Sequence, residues 1–306
     1  MKKALFGYWS IFRKHGLLNA IYAFYLYYYR QYKLKKIDRT KDNFVITHGC
    51  KLLVIPTDEG ISSELIIFGS HEPINIEFIS KKLKQGMTCL DVGANIGYYA
   101  TFESKIVGDK GKVIAIEPSP INFRYLKHNL CLQNKNNFEA YNIAAGNIEK
   151  NLDFLIFNKK SNYCHVLRQG QDIPPETKII SVPTKRIDTL LKENPIDKLD
   201  LLRMDIEGYE WEAIQGAKET IKKFNPMIKI EVHLSVIGSD TTKKIFKFLK
   251  NNGYNTVYFI SEKRHPAVKI KTKAGVKETS FEELYEKLDD DALPLTMSLF
   301  IEKVDG

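Results

Sequence analysis

The chain has 306 residues, 43% of them hydrophobic, which is enough for one large α/β domain with an appendage or for two small domains. Its four cysteines are scattered and form no C-x-x-C pair, which argues against a disulfide framework or a zinc site and favours a cytoplasmic location. The formal charge is +9, but residues 1–40 alone carry +8, so the other 266 residues are almost neutral. This distribution argues against a nucleic-acid partner.

Residues 1–42 form a basic, aromatic-rich segment that we expect to be helical. Its apolar run, Leu17 to Tyr29, is too short and too rich in tyrosine for a transmembrane helix, which needs about 20 apolar residues. No cleavage site typical of a signal peptide follows it. Two interpretations remain open: a helical cap whose aromatic side chains pack on the main domain, or an interfacial anchor whose cations face anionic lipid. The anchor would place residues 1–40 peripherally at the inner face of the membrane.

Residues 43–86 are predicted to be a small lead-in of strands and a helix. The stretch "NFVITHGCKLLVIPTDEGISSELIIFG" is rich in β-formers broken by glycine and proline, and it predicts a small hairpin. The next stretch, "PINIEFISKKLKQG", has apolar residues at helical spacing and a glycine stop at Gly86.

Residues 87–306 alternate strand and helix and are predicted to form one domain. The predicted strands are 88–92, 112–117, 138–144, 199–205, 227–233, 254–260 and 296–302, and the predicted helices are 95–106, 119–133, 208–224 and 240–252. This alternation indicates βαβ units and a mostly parallel sheet with helices on both faces. In such a sheet the ligand lies beyond the carboxyl ends of the strands.

Residues 147–187 interrupt the alternation. They are predicted to be an inserted hairpin with a proline-containing loop that lies over the edge where substrates bind. Tyr163, His165 and Arg168 in this segment are candidates for binding a substrate, although placement on a surface loop explains them equally well.

The turn after the first of these strands, "LDVGANIGYYA" at residues 90–100, has an acid, Asp91, before its first glycine. A carboxylate there would repel the pyrophosphate of a dinucleotide, and Asn95 stands where the second glycine of G-x-G-x-x-G belongs. S-adenosylmethionine has an ammonium group, a sulfonium and no phosphate, so it fits this turn better. Glu117, at the end of the next strand, is placed to accept hydrogen bonds from both ribose hydroxyls of an adenosine.

A further strand ends in the acidic block "LLRMDIEGYEWEAIQGA". Asp205 ends the strand at the carboxyl edge of the sheet, and Glu207 begins the following helix. Glu210 and Glu212 are predicted to be solvated helix residues.

The next strand ends in "IEVH", where alternation points Glu231 and His233 to one face. Asp205 is the first candidate for a catalytic base or a substrate-orienting group, and His233 is the second. A divalent metal site built from these three residues and Glu207 is a less favoured alternative.

Four blocks, in their order and spacing, resemble the FkbM-type methyltransferases, a branch of the class I S-adenosylmethionine-dependent enzymes. The blocks are "DVGANIGYYA", "IEPSPINFRYLKHNL", "MDIEGYEWEAIQGA" and "IEVH", and the resemblance covers about residues 50–260. It implies a Rossmann-like, seven-stranded sheet with its last strand antiparallel, and methyl transfer to a hydroxyl of a small-molecule or glycan acceptor. It also implies that Asp205 and Glu207 face the transfer site. The residues that the resemblance assigns to S-adenosylmethionine are Asp91, Gly93, Asn95, Gly97 and Glu117.

Fewer residues of the sequence support three other functions. A nucleic-acid base methyltransferase would carry an Asn/Asp-Pro-Pro-aromatic turn after the fourth strand, where this chain reads "DIEGYE". The carboxylate of Asp91 disfavours an NAD-dependent oxidoreductase. A module that binds an adenosine cofactor without turnover is left open.

Overall fold

The computed structural model describes residues 17–38, 40–41, 43–157, 160–168, 170–175, 177–262 and 274–304. It begins with helix α1 (Leu17–Lys35), so this part of the N-terminal segment is helical, as predicted. The part of that prediction that falls on residues 1–16 lies outside the described residues. None of the described helices is long and apolar enough to cross a membrane.

A hairpin and two helices connect α1 to the main sheet. They are β1 (Asn43–Thr47), β2 (Cys50–Val54), α2 (Ile61–Phe68) and α3 (Pro73–Lys82). The two strands pair antiparallel, which confirms the predicted hairpin. The expectation that the β-rich stretch continues to residue 69 is wrong, because α2 occupies most of its last third.

Asp58 explains why α2 forms. Its carboxylate accepts hydrogen bonds from the backbone N–H groups of Gly60 and Ser62 at 3.0 and 2.9 Å. These bonds satisfy donors that the first turn of a helix leaves free. Ile61 and Leu65, one turn apart, are both buried, so the helix also hides an apolar face.

Strand and helix then alternate, and the strands form two sheets. The main sheet consists of β3 (Thr88–Val92), β4 (Lys112–Ile116), β5 (Phe138–Tyr141), β10 (Leu201–Met204), β11 (Met227–Val232), β12 (Thr256–Ser261), β13 (Gly275–Thr279) and β14 (Met297–Glu302). The second sheet consists of β6 (Ala144–Ala145), β7 (Asn151–Phe157), β8 (His165–Val166) and β9 (Thr177–Lys185). Strands β7 and β9 pair antiparallel, so the predicted inserted hairpin is confirmed.

The strand order of the main sheet is β13-β12-β14-β11-β10-β3-β4-β5. Strand β14 runs antiparallel to both of its neighbours, β11 and β12, while β11, β10, β3, β4 and β5 pair in parallel. The seven strands from β12 to β5 therefore form the expected mostly parallel sheet with one antiparallel strand. The edge strand β13 is an addition that the sequence did not predict.

Helices cover both faces of the main sheet, as expected for a Rossmann-like fold. The remaining helices are α4 (Tyr98–Val107), α5 (Pro120–Cys131), α6 (Ile187–Glu193), α7 (Glu210–Gly216), α8 (Lys218–Phe224), α9 (Leu234–Asn251) and α10 (Phe281–Asp289). Helices α2 to α5 pack in one hydrophobic cluster, and α6 to α10 in the other. The single helix predicted over 208–224 is two helices, and the break follows Gly216, a residue with weak helix propensity.

The first βα turn lies where the chain changes direction across the sheet. Strands β4 and β5 continue to one side of β3, and β10 and β11 lie on its other side. Ligands bind at such a switch point, beyond the carboxyl ends of the strands. Gly93 opens the turn with φ +84°, and a Cβ there would lie 1.9 Å from the carbonyl oxygen of Asp205. The turn and the end of β10 therefore touch through their backbones.

We expect Gly93→Ala to destabilise the protein by about 3 kcal/mol or more, because it combines a left-handed backbone with a clash against main-chain atoms. Gly69→Ala is the matched control, since Gly69 has φ +74° and nothing within 4 Å of its added Cβ. Urea unfolding of the two variants measures the difference. Equal losses of stability would show that the close approach of the turn to β10 has no energetic role.

Candidate functional site

Arg203 links two acids in the middle of the main sheet. Its Nη1 lies 2.8 Å from Oδ1 of Asp91 on β3, and its Nη2 lies 3.0 Å from Oδ2 of Asp205 at the end of its own strand. The guanidinium also stacks 3.9 Å from the ring centroid of Tyr99. The side chain is only 4% exposed, so these contacts replace water as the surroundings of its charge. Asp91 and Asp205 are thus held by one cation.

A second buried cation lies beside Arg203. Strand register aligns Asp91, Arg203 and Lys229 across β3, β10 and β11. Lys229 is fully buried, and its Nζ has no hydrogen-bond partner among the described residues. Burial alone would raise the pKa of nearby Glu72, but His71 and Lys229 outweigh burial and lower it to about 2. Arg203 and Lys229 therefore place two cations beneath the carboxyl ends of the strands, and we call this pair the cationic floor.

Four ionisable groups stand on this floor at the carboxyl ends of β10 and β11. They are Asp205, Glu207, Glu231 and His233, the group predicted from the sequence. The Nε2 of His233 lies 3.3 Å from Oε2 of Glu207. Burial raises the pKa of Glu207 to about 8 and that of Glu231 to about 7. Glu207 has φ +53°, a left-handed conformation that is rare outside glycine and common at functional sites.

Glu210 fixes the protonation state of His233. Its Oε1 lies 2.8 Å from Nδ1 of His233 and accepts the backbone N–H of Gly208 at the same distance. The expectation that Glu210 is solvated is wrong, because its side chain is fully buried beneath the histidine. Burial would lower the pKa of His233, but Glu210 and Glu207 outweigh it and raise the pKa to about 10. His233 is thus protonated at neutral pH, which disfavours the prediction that it acts as a base.

A cleft with about 650 Å³ of empty space, part of it open to solvent, lies between the first turn, β4 and β10. We call it the donor cavity. Gly93, Asn95 and Glu117 line it, as do Asp205 and Glu207. The sequence therefore predicted five of its wall residues.

The turn and Glu117 hold each other in place. Gly93, Asn95 and Gly97 all have positive φ angles, which turn the backbone N–H of Asn95 toward Glu117. That N–H donates to Oε2 of Glu117 at 2.8 Å, and the N–H of Ser119 donates to Oε1 at 2.9 Å. Oε1 also accepts a hydrogen bond from the side-chain amide of Asn122 at 3.4 Å, whereas Oε2 keeps a lone pair for a further hydroxyl. Burial raises the pKa of Glu117 to about 7.

Asp91 and Gly97 lie behind the donor cavity rather than on its wall. The side chain of Asp91 is fully buried and bonded to Arg203, so its link to the cavity runs through Arg203 to Asp205. Its predicted direct contact with a cationic donor stays a prediction. A Cβ on Gly97 would come 2.8 Å from Leu126, so Gly97 shapes the turn from behind.

The charges on the cavity wall suit S-adenosylmethionine. Glu117, Asp205 and Glu207 offer carboxyl groups to its hydroxyls and its cationic end. For its carboxylate the wall offers His71, which the sequence reasoning missed. Burial would lower the pKa of His71, but Glu72 and Glu64 outweigh it and raise the pKa to about 9. The residues present therefore fit both the cationic and the anionic parts of the molecule.

A wider cleft adjoins the donor cavity and shares Glu207 with it. We call it the acceptor cleft. Tyr163, His165 and Arg168 of the inserted segment line it opposite Glu231 and His233. The three predicted substrate-binding candidates therefore meet in one place.

Arg168 fastens the inserted segment over the acceptor cleft. Its guanidinium donates to the backbone carbonyl of Val236 at 2.8 Å and to that of Gly208. These contacts join the insertion to α9 and to the loop after β10. The segment is therefore bonded to the edge of the sheet that carries the ionisable groups.

Asp205, Glu207 and His233 could also meet one cation, since a ligand atom from each lies within 4.8 Å of the others. A metal ligand must be an unprotonated imidazole, whereas both nitrogens of His233 face carboxylates that favour its protonated form. Metal binding would have to displace that proton. The metal alternative stays a prediction.

Arg203, Lys229, His71 and Glu210 are the site residues that the sequence reasoning missed. A signal existed for the first two, because "LLRMD" and "IKIEVH" each place a lone cation inside an apolar strand, two residues before an acid. Period-two alternation puts such a cation on the same face as that acid. His71 and Glu210 carry no comparable signal.

A model of a known protein family matches more than half of this chain. The family model of the Methyltransferase FkbM domain matches residues 91–256. Methyltransferase sdnD of Sordaria araneosa is 24% identical over 205 residues, which cover 55% of this chain and 79% of sdnD. Hexuronic acid methyltransferase AglP of Haloferax volcanii is 24% identical over 169 residues, which cover 55% of this chain and 65% of AglP.

Among solved structures, Methyltransferase FkbM from Methylobacillus flagellatus aligns with a TM-score of 0.43 and 13% identity. The alignment covers 89% of this chain and 58% of the other. This chain thus spans a little over half the length of that protein.

We expect Arg203→Met to lower the free energy of unfolding by about 3 kcal/mol or more, because it leaves Asp91 buried without its partner. Arg186→Met is the control, since Arg186 pairs with Asp188 at 3.4 Å and its side chain is 42% exposed. Because the guanidinium of Arg186 is open to solvent, its contact with Asp188 should contribute less than about 1 kcal/mol. Urea denaturation followed by circular dichroism compares the two. Similar losses in both variants would contradict a central role for the Arg203 pair.

Proposed function

This chain belongs to the FkbM methyltransferase family, and from that premise we propose that it transfers a methyl group from S-adenosylmethionine to a hydroxyl oxygen of a sugar, glycan or secondary metabolite. When bound, S-adenosylmethionine supplies a methyl carbon that its sulfonium has already activated. The task of the protein is then to align the acceptor oxygen and to take its proton.

The observation that carries this proposal is the position of Glu207. It lines both the donor cavity and the acceptor cleft, so an acceptor hydroxyl next to it would also lie next to the donor. Its raised pKa, about 8, suits a group that takes a proton near neutral pH. We assign Glu207 the role of base, a role that sequence reasoning gave first to Asp205.

The neighbours of Glu207 have positioning roles in this proposal. His233, protonated and held by Glu210, donates toward Glu207 and fixes its carboxylate. Asp205, held by Arg203, faces the donor cavity and orients the cationic end of the donor or the acceptor hydroxyl. Glu117 and the backbone of the first turn bind the adenosine ribose.

The acceptor cleft favours a polar, hydroxyl-bearing acceptor. Its wall includes Tyr163, His165, Arg168 and Gln171, which offer an aromatic face and several hydrogen-bond donors. Aromatic faces and directed polar groups together suit a sugar ring. AglP, which shares 24% identity with this chain, is named for methylating hexuronic acid. A uronic acid is therefore the first acceptor to test.

We expect the purified protein to move tritium from methyl-labelled S-adenosylmethionine to a sugar acceptor, with the product identified as a methyl ether by mass spectrometry. The panel should contain uronic acids, neutral sugars and a nucleic-acid control. Prior dialysis against EDTA should leave the rate unchanged if His233 acts in its protonated form. A rate lost with EDTA and restored by Mg²⁺ would instead identify a metal site.

Calorimetry accompanies the assay. Binding of S-adenosylmethionine with no transfer to any acceptor would support a cofactor-binding module. Binding of NAD alone would overturn the proposal in favour of an oxidoreductase.

The pH profile tests the role of Glu207. A base must be unprotonated, so kcat/KM should rise with pH up to about 8, the pKa of Glu207. It should fall again above about 10, where His233 loses its proton. Glu207→Gln should lower kcat by about 10² to 10⁴ and remove the rising limb.

Glu212→Gln is the matched control for this experiment. Glu212 lies two residues into α7 and lines neither the donor cavity nor the acceptor cleft. The same loss of charge there should leave the profile unchanged. A rising limb that survives in Glu207→Gln would assign the base to another group.

A further inference from the structure

Helix α1 turns an apolar stripe toward solvent. Leu17, Ile21, Tyr25, Tyr28 and Tyr32 are each between 55% and 61% exposed. At 3.6 residues per turn, positions 17, 21, 25, 28 and 32 fall within a sector about 80° wide. We call these five residues the aromatic stripe. A helix of a globular protein usually buries such a stripe against the core.

In the part of the chain that the structure describes, the sheet domain contacts the other side of α1. The helix packs on α2. Arg30, which lies about opposite the centre of the stripe on an ideal helix, approaches the backbone carbonyl of Glu59 at 3.5 Å. The stripe therefore faces away from the described part of the sheet domain, and the cap interpretation, in which the aromatic side chains pack on that domain, does not hold for these five residues.

The chemistry of the stripe matches the interface of a membrane. Three of its five residues are tyrosines, whose rings combine an apolar body with a polar hydroxyl and are enriched at headgroup depth. Three lysines, Lys33, Lys35 and Lys36, lie at the C-terminal end of the helix. The Nζ of Lys36 lies 4.3 Å from the ring centroid of Tyr32. No acid occurs between residues 17 and 36. Cations beside interfacial aromatics attract anionic lipid.

We propose that α1 docks the protein on an anionic membrane surface, with the aromatic stripe at headgroup depth and its lysines against lipid phosphates. The acceptor cleft would then lie on the side of α1 that faces away from the bilayer, because Arg30, opposite the stripe, lines that cleft. Docking does not depend on methyl transfer, so the two proposals fail separately.

Flotation of the full-length protein with vesicles tests the proposal. We expect it to float with vesicles of phosphatidylcholine mixed with phosphatidylglycerol, and less with phosphatidylcholine alone or at high salt. The variant Ile21→Ser/Tyr25→Ser/Tyr28→Ser should partition about tenfold or more weakly, because three side chains of the stripe lose their apolar surface.

The control variant Ile46→Ser/Ile121→Ser/Ile179→Ser removes three exposed isoleucines that lie outside α1. It should float like the unaltered protein, and circular dichroism should show both variants folded. Equal flotation of the stripe variant and the unaltered protein would overturn the proposal. So would a dimer in gel filtration that the stripe variant abolishes while neither form floats, since the stripe would then join two copies of the chain.

Discussion

The pairing of Arg203 with Asp91 and Asp205 is the constraint on which the site depends. A guanidinium in the middle of a parallel sheet is costly unless both of its ends are bonded to acids. Those acids come from two strands, so the pairing fixes the register of β3 against β10 at the point where the first turn begins. The close approach of Gly93 to Asp205 follows from this register. The turn, the cavity and the acid at the transfer site are thereby held as one unit.

Charge is arranged in two layers at this edge of the sheet. Arg203 and Lys229 form the lower layer, and Asp205 and Glu231 stand above them on the same strands. The cations below hold the acids where water is scarce, while burial raises the pKa values of Glu207 and Glu231 toward neutrality. A site built this way can keep one carboxyl group ionised beside a second that exchanges a proton near neutral pH.

The inserted segment and α1 complete the cleft from outside the sheet. Arg168 bonds the insertion to the loop after β10, and Arg30 of α1 lines the acceptor cleft. In the proposed function, the core of the sheet would present the donor, and the two peripheral elements would surround the acceptor. Acceptor choice and location in the cell would therefore be set by parts of the chain that add little to the core.

The sequence by itself determined the doubly wound fold, the glycine turn and the acids that end the strands, because alternation, turn glycines and strand ends are local patterns. It also gave Glu117, Asp205 and Glu207, which lie on the cavity wall. Only the tertiary structure decided what those acids face. Three features depend on which parts of the chain become neighbours, and no single stretch of sequence encodes that. They are the burial of Glu210 beside His233, the pairing of Asp91 with Arg203 and the position of His71 on the cavity wall. Whether the aromatic stripe is buried or exposed likewise depends on how α1 packs on α2, which the sequence of the stripe does not encode.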